Sequence, residues 1–181
     1  MNIININEPF LFTNINSYSD NRGYFYESYK KNKNNLILSQ DFLQENHSVS
    51  KLNVIRGLHY QWNSPMGKLV KVTKGRIVDV IVDIRKNSNT YKKIYYYDIS
   101  EYNLNQLWVP AGFAHGFVSL EENTHVDYMC TSVYNKFGEA GINPFDKNLD
   151  INWYIKKEDA ICSEKDLNAQ SFEDYLRDPK F

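Results

Sequence analysis

The stretch Val54-Ile55-Arg56-Gly57-Leu58-His59-Tyr60-Gln61 sets a guanidinium, an imidazole and an amide among aliphatic and aromatic neighbours. Its β-branched start and its apolar Leu58 and Tyr60 predict a strand, and Gly57 permits a close backbone approach within it. A polar side chain in a core must be hydrogen-bonded or must work. Taken alone, His59 fits a hydrogen-bonded core histidine. Other residues extend it to a set. A histidine base needs a carboxylate that fixes its tautomer and stabilises its charged form; Asp79, Asp83 and Asp166 are the candidates. Lys68 could stabilise an oxyanion in a dry pocket, and Tyr128 could return a proton from the opposite side. Period-two alternation would point His59, Lys68 and Tyr128 into one interior. The chemistry such a set offers is proton transfer through an oxyanion.

The elements that must position these residues read as strands. Ile3, Ile4 and Ile6 leading to Phe10-Leu11-Phe12 suggest an opening strand over residues 1–12. Ser17 to Gly23 is a turn by composition, followed by an aromatic strand, Tyr24 to Tyr29, flanked by Arg22 and Glu27. Those two charges face a ligand or a partner subunit, or lie solvated along an ordinary edge strand. Residues 30–43 suggest a short helix or an irregular excursion. Lys68 to Thr73 and Arg76 to Arg85 both alternate and meet at Lys74-Gly75, which reads as a hairpin. On the second of them Val78, Val80, Val82 and Ile84 form a core face, while Asp79 and Asp83 sit among isoleucines beside a polar cavity. Further strands are expected at Lys92–Ser100, Gln106–Pro110, Ala111–Leu120 and His125–Tyr134, and a terminal helix at Asp166–Leu176. Strands at short intervals with no helical period between them argue for an all-β, antiparallel sandwich or barrel with short peripheral helices. With no internal repeat and no linker, residues 1–181 read as one domain.

Composition narrows the function. The chain has 181 residues, a formal net charge of −1 and 15% aromatic residues. No basic face advertises a nucleic acid. No apolar run approaches membrane-spanning length, and the start lacks a signal-peptide layout. Cys130 and Cys162 are too few for a disulfide framework, so a soluble cytoplasmic protein with free thiols is expected. Pro110-x-Gly112-x-x-His115 resembles the second short motif of cupin barrels, but the strand matching the first motif offers only His59. His47, His59, His115 and His125 are the whole histidine inventory. Their spacing supports no three-ligand metal site, so no metal is expected and His115 reads as a hydrogen-bonded cavity residue, with Asp79 as a candidate partner.

Several stretches together resemble the dTDP-4-dehydrorhamnose 3,5-epimerase family, a cupin-type jelly roll. They are Asp20-x-Arg22-Gly23-Tyr24-Phe25-x-Glu27-Ser28, Gln44-Glu45-Asn46-His47-Ser48, Val54 to Gln61, Gly67-Lys68-Leu69-Val70, Asp79 to Arg85, Gln106 to Phe117, and Ser163-Glu164-Lys165-Asp166. The resemblance implies His59 as the base, Asp166 as its partner, Lys68 as the residue that steadies an enolate and Tyr128 as the general acid. It puts Arg56 and His115 in the active site. It puts Arg22, Glu27, Gln44, Asn46 and Tyr134 on the substrate, a nucleotide-diphospho-4-keto-6-deoxyhexose linked to dTDP or UDP. Inversion at C3 and C5 without a cofactor follows, in deoxysugar biosynthesis of the L-rhamnose type. A homodimer that exchanges an N-terminal strand also follows, so Arg22 and Glu27 would serve the neighbouring site. Met129 stands where a Lys usually follows the Tyr, and Val133-Tyr134 where two Tyr are usual. Both features bring the chain closer to relatives acting on other nucleotide-linked keto-sugars, some of which invert C3 alone. A C3-only epimerase on a related keto- or amino-sugar is therefore the alternative, ahead of a metal-dependent cupin enzyme or a non-catalytic sugar-binding module.

Overall fold

The computed structural model describes residues 5–181. Eight strands form the body: β4 (Gln44–Ser50), β5 (Ile55–Gln61), β6 (Lys68–Lys74), β7 (Arg76–Asp83), β8 (Ile94–Ser100), β9 (Gln106–Val109), β10 (Phe113–Ser119) and β11 (Thr124–Cys130). With β1 (Phe10–Phe12) and β12 (Glu139–Gly141) they make two five-stranded sheets, ordered β1-β9-β6-β11-β4 and β12-β5-β10-β7-β8. The chain passes from sheet to sheet at nearly every connection, with all recorded pairings between strands antiparallel. This is the jelly roll of cupin-type barrels.

The crossing at Gly75 corrects one expectation. β6 and β7 do not form a hairpin: β6 pairs with β9 and β11, and β7 with β8 and β10. Gly75 has φ +78°, and a Cβ there would meet Thr124 Oγ1 at 2.6 Å. Glycine thus turns the chain out of one sheet and into the other where a hairpin of the same sequence would have kept it in one.

Both sheets are buried on both faces over much of their area, which accounts for the nearly continuous apolar run of β7. Between the sheets lie Val70, Val72, Ile77, Ile81, Leu107, Phe113, Phe117 and Val126. Behind the second sheet, Val78, Val80, Val82 and Ile84 pack under Trp153, Phe172 and Tyr175. Behind the first, Leu69 and Trp108 pack with Ile37. The segment carrying Ile37 is irregular, a succession of turns with no helix. The expected terminal helix is two short ones, α1 (Glu164–Leu167) and α2 (Phe172–Arg177), each capped by a serine, Ser163 and Ser171. The opening strand is confined to β1; residues 5–9 form a turn, and the expectation over residues 1–4 lies outside the described residues. The aromatic strand is also shorter than expected: β2 (Ser17–Asp20) and β3 (Gly23–Tyr26) make a separate two-stranded hairpin.

Candidate active site

The polar stretch of β5 is built around a bulge. His59 pairs with His115 and Arg56 with Phe117, so Gly116 alone faces both Gly57 and Leu58. Strict alternation would put Arg56 and His59 on opposite faces; the extra residue lets both line the same cavity. Gly57 has φ +112°, and a Cβ there would lie 2.6 Å from the His115 carbonyl oxygen, so no larger residue fits.

The cavity has a volume of about 380 Å³ and is lined by His59, Lys68, His115, Tyr128, Arg56 and Asp166, with Ser48 and Lys165. A smaller chamber, about 130 Å³, shares His59, Lys68 and Tyr128 and adds Asn46, Tyr134 and Glu139. Alternation on the facing sheet does the rest. Lys68, Val70 and Val72 point inward from β6, and Tyr128 and Val126 from β11.

His59 Nε2 and Asp166 Oδ1 are 2.7 Å apart. Asp166 comes from α1, far from His59 in sequence, and is brought over β5 by a short bridge between Val54 and Ile161. Its other oxygen, Oδ2, accepts the Gly57 N–H at 3.2 Å, while its own N–H is capped by Ser163 Oγ. Burial works against charge on Asp166, but the bonds from His59, Gly57 and Ser163 outweigh it and hold the carboxyl below its ordinary value. An ionised carboxylate only accepts, so the shared proton sits on His59 Nε2 and leaves Nδ1 as the basic nitrogen. Asp166 is thus the carboxylate of the His59 set. Asp83, another candidate, lies at the far end of β7, held by Arg85, Ser88 and Thr90. Asp79, the third, holds His115: His115 Nε2 to Asp79 Oδ2 is 2.8 Å.

Burial lowers Lys68 below the ordinary amine range, with Cys130, Asp79 and Glu139 opposing that shift. Burial raises the Tyr128 phenol, which keeps it a proton donor at neutral pH. Such a site can take a proton from carbon with one group, hold an oxyanion with a second and donate a proton with a third.

The remaining expected residues divide. Gln44 sits at the rim, donating from Nε2 to Asn46 Oδ1 at 2.8 Å and accepting the Tyr134 N–H at 2.8 Å. Arg56 is fixed at the mouth by Ser50 Oγ and the Val49 carbonyl. Arg22 and Glu27 are not brought to this chain's cavity. Arg22 pairs with Asp20 at the tip of the β2–β3 hairpin, and Glu27 lines a separate surface groove. Two rim residues were missed. Lys165 donates to both oxygens of Glu139 at 2.8 Å, bridging the two chambers. Lys165 had a signal, since it adjoins Asp166 in Ser163-Glu164-Lys165-Asp166; Glu139, on a strand of three residues, had none. Among the described residues no group of three or more His, Cys, Asp or Glu is placed to hold a metal ion, and no helix is long and apolar enough to cross a membrane.

Comparison with known proteins agrees with this geometry. The family model described as dTDP-4-dehydrorhamnose 3,5-epimerase matches residues 4–174. The enzyme of that name from Methanothermobacter thermautotrophicus is 42% identical over 155 residues, 83% of either chain. The crystal structure of the dTDP-6-deoxy-D-glucose-3,5-epimerase of Legionella pneumophila Philadelphia 1, in complex with dTDP-4-keto-L-rhamnose, is similar with a TM-score of 0.83. It is 34% identical, covering 92% of this chain and 94% of that one. A 3'-monoepimerase from Streptomyces bikiniensis, in complex with dTDP-quinovose, has a TM-score of 0.86 at 27% identity, covering 93% and 86%. A jelly roll whose interior gathers a histidine–aspartate pair, a lysine and a tyrosine, matched by a family model over nearly its whole length, belongs to the dTDP-4-dehydrorhamnose 3,5-epimerase family of isomerases.

Proposed function

We propose that this chain, as a single domain, epimerises a dTDP-linked 4-keto-6-deoxyhexose at C3 and C5. The 4-keto group acidifies the protons on both neighbouring carbons. His59 Nδ1 takes one of them, the carbon–hydrogen electron pair moves into an enolate, and Lys68 stabilises the oxyanion. Tyr128 then donates its proton to the opposite face of the carbon, the enolate collapses to the ketone and the centre is inverted. The His59 proton returns to solvent and the Tyr128 phenolate is reprotonated, so the scheme balances by proton transfers alone. Asp166 orients His59 and stabilises its imidazolium. One observation carries the reading: the His59–Asp166 pair shares one cavity with both Lys68 and Tyr128.

Arg56 and Lys165 at the mouth are suited to a diphosphate, with Asn46, Gln44 and Tyr134 along the same rim. Arg22 and Glu27 are assigned to the neighbouring subunit's nucleotide. The β2–β3 hairpin exposes Tyr18, Tyr24 and Phe25 at 68%, 57% and 70%. A two-stranded hairpin is marginal by itself, and an exposed aromatic cluster favours a partner; a homodimer would cover it.

Solution NMR in D2O with dTDP- and UDP-linked 4-keto-6-deoxyglucose tests the substrate and the number of centres. Deuterium at C3 and C5 of the dTDP sugar, with inverted couplings at both, is expected. The likeness to the Streptomyces 3'-monoepimerase favours a second reading, inversion at C3 alone; deuterium confined to C3 would select it. No exchange with either nucleotide would overturn both.

A further inference from the structure

Behind the His59–Asp166 pair the interior holds a second histidine–aspartate pair, with Lys68 at its end. Lys68 Nζ lies 3.4 Å from His115 Nδ1, and His115 Nε2 lies 2.8 Å from Asp79 Oδ2. Asp79 is fully buried, His115 is 7% exposed, and Asp79 Oδ1 has no hydrogen-bond partner among the described residues. A buried carboxylate with one oxygen unsatisfied is costly. A core position on β7 would be filled more stably by another isoleucine, as at Ile77 and Ile81 on the same face.

Donor inventory fixes the direction of the chain. A lysine ammonium has three donors and no lone pair, so His115 Nδ1 must accept. A neutral imidazole carries one N–H, which is then on Nε2, and Asp79 Oδ2 must accept it. Burial lowers His115 below its ordinary value, which keeps the ring neutral and leaves Nδ1 free. We propose that Asp79 is a positioning residue: by accepting the His115 Nε2 proton it makes Nδ1 an acceptor, and so aims and holds the Lys68 ammonium at the oxyanion position. The inference rests on the epimerase reading for the oxyanion, though not for the tautomer.

The ionisable groups that face Lys68 are Cys130 and Tyr128 from β11, Asp79 from β7, Glu139 from β12, His115 from β10 and His59 from β5. Of the two carboxylates, Glu139 is already paired with Lys165, whereas Asp79 contacts His115 and not a lysine or arginine among the described residues; burial pushes the Asp79 carboxyl up, with His115 and Lys68 opposing that shift. Removing the Asp79 charge should therefore let Lys68 lose its proton at lower pH.

Two measurements test this. Nitrogen-15 NMR of the histidine rings in the unaltered protein, without substrate, should find His115 as the Nε2–H tautomer; an Nδ1–H tautomer would overturn the proposal even if every variant failed to fold. In Asp79→Asn the alkaline limb of kcat should move down by about one pH unit, with kcat about fivefold lower at the pH of the original midpoint and KM within about twofold. A uniform fall in kcat with an unmoved limb would show a merely structural role and also overturn it. Failure of the epimerase reading is separately visible, as absence of exchange by the wild-type protein.

Discussion

Two histidine–aspartate pairs each present a histidine to one cavity, alike in residue type and in length and different in their surroundings. His59–Asp166 sits at the mouth: the histidine side chain is 32% exposed, and the aspartate rides on a short helix capped by Ser163. His115–Asp79 is inside the barrel, with side chains 8% and 0% exposed, both partners fixed on the paired strands β10 and β7. At the mouth, both Asp166 oxygens are satisfied and the histidine keeps one nitrogen free to exchange a proton. In the interior, both histidine nitrogens are engaged, so that pair can orient a neighbour but cannot pick up a substrate proton. A third pair, His47–Asp127 on the outer face of the first sheet, touches neither chamber. On the roles proposed above, environment more than residue type separates a base from a brace and from a surface contact.

The largest effect is expected at the mouth. His59→Asn should slow proton exchange at the sugar carbons about 10⁴-fold with the fold retained by circular dichroism; loss of less than about tenfold would break the distinction between the pairs. Asp166→Asn keeps the shape but lets the proton sit on the wrong nitrogen, and kcat should fall about 10³-fold. Asp166 also carries an acid-stability signature. Its folded carboxyl titrates below its unfolded value near 3.8, so its contribution is whole above that value and is lost as pH falls through the lower one. Thermal unfolding followed downward from about pH 6 should show a steeper acid loss in wild type than in Asp166→Asn; equal slopes would contradict the pairing. Tyr128→Phe should slow inversion about 10²-fold while His59 continues to wash deuterium into the same face, giving labelled but uninverted sugar. Loss of label and inversion together would move the proton donation elsewhere. Smallest of all, His47→Ala should leave kcat within about twofold and stability within about 1 kcal/mol, as for other exposed pairs.

How much of this could be read beforehand follows from the range of the forces involved. Alternation in β6, β7 and β11 is local, and it put Lys68 and Tyr128 in one interior. The β5 site was legible as an anomaly, polar residues where a core strand was expected, although the bulge that reconciles Arg56 with His59 depends on the facing Gly116. The choice among Asp79, Asp83 and Asp166 was open from residues alone, because it depends on packing between distant segments; resemblance supplied it. The supposed β6–β7 hairpin failed for the same reason. A glycine between alternating strands permits either a tight turn or a passage to the other sheet, and only the pairing of β6 with β9 and β11 decides. Glu139, on a strand too short to show a period, reaches the rim through its register with Gln61.

One experiment sets the two pairs directly against each other. Deuterium incorporation from D2O into dTDP-4-keto-6-deoxyglucose would be followed by NMR with wild type, His59→Asn and His115→Asn side by side. The account predicts that exchange by the His59 variant slows about 10⁴-fold, while the His115 variant keeps it at a rate reduced about tenfold through the loosened Lys68. Undiminished exchange without His59, or exchange abolished only without His115, would contradict the assignment of the mouth pair as the one that moves the proton.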